Sequence, residues 1–255
     1  MCSSDLLQSG AEKADAVAHL AFIHDFSKFA ENSLTDKAAI EAIGEALAGS
    51  ARPLVVTSGL ALLVEGRLAT EQDKTVPGFP RLSEATAEAL AERGVHTSTV
   101  RLPPTTHGVG DHGFVPRLIE IAREKGAAAY VGDGANHWAA GHRLDAAVIY
   151  RLALEKAAAG LAKPGARYHA VGDQGVPMRE IAEVIGRRLG VPVVSKKQEE
   201  AAAHFGFLGM FVGLNIQASS AWTQKELGWT PKQPGLLADL DQPAYFNGAS
   251  KYANQ

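Results

Sequence analysis

The stretch GVGDHG, residues 108–113, has the glycine spacing of loops that bind the pyrophosphate of a dinucleotide. It lies between an apolar extended run, residues 96–102, and a helical pattern over Phe114–Lys125, and an acidic residue, Asp133, follows about 20 residues on. In such loops the glycines permit a tight turn, and backbone N–H groups at the start of the helix face the phosphates. The spacing alone raises the hypothesis of a dinucleotide site, which the neighbouring elements must support.

Two groups of histidines could contact a substrate. His107 and His112 lie in or beside the same loop, and a histidine titrates near neutral pH, which suits a proton relay or a substrate contact. Their spacing is not a known metal-binding pattern, so no metal is predicted. His137 and Trp138 form the second group, and a tryptophan could line a pocket for a ring or an apolar acyl group. A solvent-facing loop histidine and a packed tryptophan are the alternative roles.

The composition favours small-molecule partners. The chain of 255 residues carries 25 basic and 28 acidic side chains, a net charge of -3, which does not predict binding to nucleic acid or to an anionic membrane surface. Its single cysteine, Cys2, excludes an internal disulfide and fits a reducing compartment. The sequence contains neither an apolar run of about 20 residues nor a signal peptide, so we predict a cytoplasmic protein and allow for a homodimer.

Alternating strand and helix patterns predict an α/β fold. Short apolar runs alternate with amphipathic stretches along the first half of the chain, at residues 16–21, 35–48, 53–58, 81–92 and 97–102. Thr35 is the predicted N-cap of the first of these helices. Parallel strands need long crossover connections, which helices provide, so the pattern predicts a parallel sheet covered by helices on both faces. Further strands and helices follow after Gly126, including a helix over Met178–Leu189.

Several segments, in this order, resemble the extended and atypical short-chain dehydrogenase/reductases, a superfamily of NAD(P)-dependent epimerases, dehydratases and reductases. DAVAHLAF (15–22), LVVTSG (54–59) and TVRLPP (99–104) are similar to the family's fourth, fifth and sixth strands. YVGDGANHWAAGHRLDAA (130–147) is similar to the segment that enters the substrate lobe, and LGWTP (227–231) to the closing motif. The resemblance implies a Rossmann-type doubly wound parallel sheet, a smaller C-terminal substrate lobe, and NAD or NADP as the cofactor.

The same resemblance changes the interpretation of GVGDHG. The family's glycine loop follows its first strand, about 60 residues before the DAVAHLAF segment, and only 14 residues precede that segment here. The resemblance therefore implies that the cofactor loop and the first strands are missing, and that GVGDHG faces the substrate. PPTTH separates this loop from the preceding strand, and Asp111 would place a negative charge beside a pyrophosphate. MCSSDL at the N-terminus resembles a translated sequencing adapter, which suggests a gene fragment.

This resemblance also gives an expected domain division. We expect an artefactual or linker segment over residues 1–14, a truncated Rossmann-type region over 15–135, a region rich in substrate-lobe elements over 136–242, and a frayed tail over 243–255. The chain can cross back to the sheet within the third of these. The division predicts a substrate cleft between the sheet and the smaller lobe.

The family's catalytic pair, Tyr-x-x-x-Lys on the helix after the fifth strand, is absent. Pro80 and Glu84 occupy the two positions, so the resemblance implies a non-standard site. The candidates for catalysis are Ser58 at the end of the fifth strand, Arg81 and Glu84 on the helix, and His107 in the loop after the sixth strand. A serine that caps a strand end is the alternative role of Ser58.

Cofactor and substrate contacts are carried over from matching positions. The residues that the resemblance places against the cofactor are Leu20, Ala21, Phe22, Thr57, Ser58, Pro103 and Pro104. Those that it places near the substrate are His107, His112, His137 and Trp138. We expect an NAD(P)-dependent oxidoreductase or epimerase that acts on a small carbonyl, hydroxyl or sugar-like compound. A non-catalytic NAD(P)-binding sensor or regulatory protein is the alternative.

Overall fold

The computed structural model describes residues 3–60, 66–76 and 78–247. Strands and helices alternate along the first half of the chain, in the order α1 (Ser3–Lys13), β1 (Val17–His19), α2 (Phe29–Leu47), β2 (Leu54–Gly59), α3 (Ser83–Glu92), β3 (Thr97–Leu102), β4 (Thr105–His107), α4 (Phe114–Lys125) and β5 (Ala128–Val131). The second half continues with β6 (His137–His142), α5 (Arg143–Ala158), β7 (Ala166–His169), β8 (Asp173–Pro177), α6 (Met178–Leu189), β9 (Val193–Lys196), α7 (Ala201–Phe205), α8 (Ala221–Leu227) and α9 (Leu236–Leu240).

The main sheet is parallel and has the order β1-β2-β3-β7. The side chains of β2 show what covers each face of this sheet, because successive side chains of a strand point in opposite directions. Leu54 and Val56 pack with Ile40 of α2 in one core cluster, whereas Val55 packs with Ile149 of α5 in another. Because both faces are buried under helices, β2 is apolar over consecutive positions instead of alternating. The predicted α/β class with a parallel Rossmann-type sheet is confirmed.

The smaller strand groups lie outside the main sheet. β4, β6 and β8 form a three-stranded sheet, and β5 pairs with β9. These strands share a core with α4, α6 and α7, into which Trp138, Ile181 and Phe205 are buried. The chain crosses back to the main sheet at β7, between β6 and β8 in sequence. The domain division proposed from the sequence stays a prediction.

The start of α2 differs from the sequence prediction. The helix begins at Phe29, directly after a 3-10 turn over Phe26–Lys28, and the Asp25 carboxylate accepts a hydrogen bond from the Ser27 backbone N–H at 3.0 Å. Thr35 therefore lies inside the helix, and its hydroxyl donates to the Glu31 carbonyl at 3.2 Å. The prediction that Thr35 caps the helix was wrong, because a threonine inside a helix can also donate its hydroxyl to a backbone carbonyl of the preceding turn.

Both ends of the chain are ordered within the described range. α1 packs on α2, and the Arg52 guanidinium donates to the carbonyls of Ala11, Glu12 and Ala14 at 2.9 to 3.0 Å. Near the C-terminal end of the described residues, a 3-10 turn over Pro243–Tyr245 follows α9. The expectation of a frayed tail over residues 243–255 stays a prediction, and Cys2 and residues 248–255 lie outside the described residues. None of the described helices combines the length and the apolarity needed to cross a membrane.

Candidate active site at the carboxyl edge of the parallel sheet

The carboxyl ends of β1, β2 and β3 meet at one edge of the main sheet, where open α/β sheets bind their ligands. His19 pairs with Val56 and Ser58 with Arg101, so β2 and β3 extend past the end of β1. The chain brings its predicted cofactor contacts to this edge. Leu20 and Ala21 are exposed just after β1, and Phe22 is half-buried. Pro103 and Pro104 follow β3 directly, the first buried and the second half-buried.

Thr57 is held in a chain of hydrogen bonds. Its hydroxyl donates to the His19 carbonyl at 2.8 Å, and it lies 2.8 Å from the Tyr150 hydroxyl of α5. Because a threonine has one hydroxyl proton, Tyr150 is the donor in the second bond. Burial raises the pKa of Tyr150 to about 12, so this hydroxyl stays protonated at neutral pH. Thr57 thus joins β1, β2 and α5 below the edge, and the sequence contained no signal for Tyr150.

Ser58 is the unsatisfied polar group of this edge. Its side chain points to the opposite face of β2 from Thr57, and the residue is 1% exposed. Within residues 3–60, 66–76 and 78–247, the hydroxyl oxygen has no hydrogen-bond partner. A buried hydroxyl without a partner costs about 1–3 kcal/mol, so a polar atom of a bound molecule would stabilise it.

Arg81 places a positive charge beside this serine-bearing strand. Its guanidinium donates to the Thr57 carbonyl at 3.4 Å and to the Ser83 hydroxyl at 3.1 Å, and it lies 4.2 Å from the centre of the Phe22 ring. Burial lowers the pKa of Arg81, but a guanidinium remains charged at neutral pH. The described hydrogen bonds of Arg81 go to neutral acceptors, and the charge of Asp36 also acts on it. A guanidinium has five N–H donors, so Arg81 could in addition bind an anion or a polarised oxygen.

A buried acid fixes the segment that carries Arg81. The Asp36 carboxylate accepts from the Ser83 hydroxyl at 2.6 Å and lies 2.7 Å from His19 Nε2. Ser83 in turn accepts from Arg81, which links the end of β1, the middle of α2 and the start of α3. Asp36 and His19 were not identified from the sequence, because they are 17 residues apart and match no catalytic spacing.

Glu84 is part of a separate ion pair beneath the edge. Arg101 Nε donates to Glu84 Oε2 at 2.8 Å, its Nη2 donates to Glu84 Oε1, and the two side chains are 0% and 2% exposed. Arg101 also lies 3.0 Å from His169 Nε2. Burial and the neighbouring Arg101 lower the pKa of His169 to about 3, so it is neutral. Both Glu84 oxygens are thus engaged, and we leave Glu84 out of the proposed catalytic set.

The GVGDHG loop does follow a strand directly, since residues 105–107 form β4. PPTTH does separate the loop from β3, as expected, and the short strand β4 lies within that separation. Three of the loop's amides, however, are already bonded within the protein. Gly108 N–H donates to the Tyr245 hydroxyl at 2.8 Å, Asp111 N–H to the Gly108 carbonyl at 2.9 Å, and Gly113 N–H to the Asp111 carboxylate at 2.6 Å. With its own carboxylate at the start of α4, this loop does not suit a pyrophosphate.

His107 lies in a buried cluster with Asp239 and His142. His107 Nδ1 is 2.8 Å from Asp239 Oδ2, which also accepts from the Tyr245 hydroxyl at 3.0 Å. One ligand atom from each of His107, His142 and Asp239 lies within 4.8 Å of the others, close enough to suggest a metal. His142 Nδ1, however, accepts from Leu144 N–H at 3.2 Å, which leaves the proton of its neutral ring on Nε2. These hydrogen bonds satisfy the cluster without an ion, and we propose no metal.

The other predicted substrate contacts lie in the loop before α4 and in β6. His112 is exposed in the loop before α4, and His137 is half-buried at the start of β6. Trp138 is 0% exposed, its indole Nε1–H donates to the Phe211 carbonyl at 3.3 Å, and its ring is 5.7 Å from that of Phe114. Trp138 therefore packs in the core and has no surface to offer a ligand.

Comparison with known proteins finds two similar yeast proteins. The chain is 49% identical over 245 residues to uncharacterized protein C2A9.02 of Schizosaccharomyces pombe, covering 95% of this chain and 81% of that protein. It is 44% identical over 240 residues to uncharacterized protein YLL056C of Saccharomyces cerevisiae, covering 92% of this chain and 78% of that protein. The chain belongs to the family of these two yeast proteins. No family model matches it.

The chain is also similar to a more distant reductase and to solved structures of the same fold. The chain is 35% identical over 138 residues to 2-alkyl-3-oxoalkanoate reductase of Stenotrophomonas maltophilia, covering 52% of this chain and 42% of that enzyme. DesIV, a dTDP-glucose 4,6-dehydratase of Streptomyces venezuelae solved with NAD and TYD, superposes with a TM-score of 0.74 at 18% identity, over 96% of this chain and 77% of that one. WbmG of Bordetella bronchiseptica, solved with NAD and UDP, superposes with a TM-score of 0.71 at 17% identity, over 96% of this chain and 76% of that one. The fold is that of the epimerase/dehydratase-type short-chain dehydrogenase/reductases.

Proposed function

We propose that this protein is an NAD(P)-dependent oxidoreductase or epimerase that acts on a small carbonyl, hydroxyl or sugar-like compound at the carboxyl edge of β1, β2 and β3. The observation that carries the proposal is the buried, unpartnered Ser58 hydroxyl in the strand beside the Arg81 guanidinium. The fold supports it, since solved proteins with this fold contain NAD. The similarity to a reductase supports the oxidoreductase class.

The edge fits the nicotinamide and ribose end of the cofactor. Leu20 and Ala21 expose apolar surface after β1, and the half-buried Phe22 ring lies beside them. The Ser58 hydroxyl could accept a hydrogen bond from an amide N–H or a ribose hydroxyl there, which leaves its own proton for the substrate. A bound nicotinamide supplies or accepts the hydride. The resemblance places the pyrophosphate contacts before Asp15, and this expectation stays a prediction, as does the choice between NAD and NADP.

Ser58 and Arg81 would act on the oxygen of the substrate. When a carbonyl carbon gains a hydride, its oxygen becomes an alkoxide and then takes a proton, which comes ultimately from water. The Ser58 hydroxyl can donate a hydrogen bond to that oxygen, and the Arg81 charge stabilises it as negative charge develops. The Asp36–Ser83 contacts keep Arg81 in place. His107, which is bonded to Asp239, is not required for this step.

The test is to measure binding of NADH and NADPH and turnover of a carbonyl panel by the wild type, Ser58→Ala and Arg81→Gln. Removing one such donor costs about 10²–10³ in kcat, and we expect losses of that size. Ser195→Ala in β9 and Arg93→Gln after α3 change exposed residues outside this edge and serve as matched controls. Unchanged kcat in folded Ser58→Ala and Arg81→Gln would refute the roles of these residues.

A non-catalytic NAD(P)-binding sensor is the second candidate. The observation that favours it is the absence of the Tyr-x-x-x-Lys pair of the short-chain dehydrogenase/reductases. Pro80 is in one of the two matching positions, and Glu84, which is bound by Arg101, is in the other. Micromolar cofactor binding without hydride transfer to any compound of the panel would support this candidate over the first.

A further inference from the structure

A group of partly exposed phenylalanines adjoins the proposed site. We call it the aromatic surface, and its members are Phe22, Phe26, Phe29, Phe114, Phe207 and Phe211. Phe26 is at its centre, because its ring lies 5.0 Å from that of Phe207 in a stacked arrangement and 5.9 Å from that of Phe29. These rings come from the segment after β1, from the start of α2, from α4, and from the 3-10 turn Gly206–Met210 and the residue after it. The aromatic surface therefore spans from the main sheet to the second group of elements.

The aromatic surface is partly exposed. Phe207 is 38% exposed and Met210, close to it in the chain, is 66% exposed. The other members are half-buried, and Phe114 and Phe211 also pack against the core that contains Trp138. Leu20 and Ile23, which flank Phe22, are 57% and 52% exposed. Contiguous exposed apolar surface of this kind is typical of a binding site.

The aromatic surface begins where the proposed site ends. Phe22 lies under the Arg81 guanidinium at 4.2 Å, and the same guanidinium donates to the carbonyl of Thr57, the residue before Ser58. A molecule whose oxygen is bound by Ser58 and Arg81 would thus have its next atoms beside Phe22, and the rings of Phe29 and Phe26 follow at 5.7 and 5.9 Å spacings.

We propose that the aromatic surface binds the apolar body of the substrate, an aryl ring or an alkyl chain attached to the carbonyl group. The inference rests on the proposed function, and it replaces the wider class of small carbonyl and sugar-like compounds with apolar ketones and aldehydes. Flat rings and alkyl chains gain free energy from burial against such rings, whereas a sugar loses hydrogen bonds to water there.

The charges beside the aromatic surface disfavour a nucleotide sugar. A diphosphate needs several cationic or N–H donors. Of the cation–ring contacts among the described residues, the one to this surface comes from Arg81, which already donates to Thr57 and Ser83. Lys28 lies in the same turn as Asp25, and their opposite charges offset each other. Asp111, shortly before Phe114, adds an acidic group.

The experiment is to measure dissociation constants calorimetrically for the full chain with NADH present. The probes are 2-acetylnaphthalene, 2-octanone, UDP-glucose and dTDP-glucose. We expect the two ketones to bind more tightly than the nucleotide sugars, and Phe207→Ser to weaken ketone binding at least about tenfold. Leu161→Ser, a change at a residue 71% exposed in the loop between α5 and β7, is the matched control and should leave the constants unchanged.

A measurement on the wild type guards against a Phe207→Ser variant that does not fold. With phenylalanine-labelled protein, intermolecular NOEs from the naphthyl protons to the Phe rings are expected. Absence of these NOEs at saturating ketone, or tighter binding of either nucleotide sugar, would overturn the inference. The proposed function fails separately, through loss of NAD(P)H binding and hydride transfer, because the NOEs require no turnover.

Discussion

The buried pair Arg101–Glu84 gives the sharpest test of the distinction between a structural and a catalytic acid. Both side chains are almost completely buried, and Arg101 binds both oxygens of Glu84. Glu84→Gln keeps the size of the side chain but removes its charge, which leaves Arg101 charged and uncompensated. Breaking a buried pair in this way costs about 3–5 kcal/mol. For a chain of this size that corresponds to a fall in Tm of roughly 10 °C.

The assay is urea unfolding monitored by circular dichroism, with Glu155→Gln as the control. Glu155 pairs with Arg151 on the surface of α5, and the two side chains are 57% and 60% exposed. An exposed pair contributes about 0.2–1 kcal/mol, so the two variants should differ severalfold. The double variant Glu84→Gln with Arg101→Met should recover part of the loss, because it removes the unpaired charge. A loss below about 1 kcal/mol for Glu84→Gln, together with abolished turnover, would refute the structural role and return Glu84 to the catalytic set.

Two further predictions concern the loop after β4 and the strand β6. Burial raises the pKa of Asp111 to about 6, so the folded state favours the protonated form of this side chain. The variant Asp111→Asn should therefore be more stable than the wild type at pH 7, and the gain in stability should shrink as the pH falls from 6 towards 4. Urea unfolding at several pH values measures this gain. A gain that grows towards pH 4 would contradict the raised pKa. Gly141→Ala would place a Cβ 2.0 Å from the Ala170 carbonyl oxygen and should cost about 3 kcal/mol or more, whereas Gly10→Ala in α1 meets nothing within 4 Å and should be neutral or stabilising. Equal melting temperatures for these two glycine variants would show that β6 relaxes without cost.

The elements that the sequence predicted well are those with local signals. β3, α4 and α6 have the predicted bounds, and Gly126 and Gly190 end the two helices in the left-handed conformation, with φ of 67° at each. The start of α2 was missed because the helix has no side-chain cap of its own and continues from a 3-10 turn that Asp25 caps. Local patterns thus determine the elements, and turns between them escape such patterns.

The candidate site likewise has features that could be predicted from the sequence and contacts that could not. The sheet edge follows from the rule that ligands bind beyond the carboxyl ends of parallel strands, whereas Ser58 was named from the resemblance to the short-chain dehydrogenase/reductases, and its role stays a proposal. The contacts that set the roles of other residues join distant parts of the chain, as with His107 and Asp239, 132 residues apart. The burial of Trp138 likewise depends on Phe211, 73 residues further on. Composition and spacing carry no information about such pairs, so their roles became visible only with the fold.

The hydrogen bond between Thr57 and Tyr150 has an evolutionary consequence. The two residues are 93 positions apart and meet in a buried region. Loss of the Thr57 hydroxyl leaves the Tyr150 hydroxyl without this partner, and loss of the Tyr150 hydroxyl leaves Thr57 with only its bond to the His19 carbonyl. A change of Tyr150 to phenylalanine and a change of Thr57 to valine are each unfavourable alone and compatible together. In the descent of this family the two positions should therefore have changed in concert, and an alignment of distant members should show them as a correlated pair.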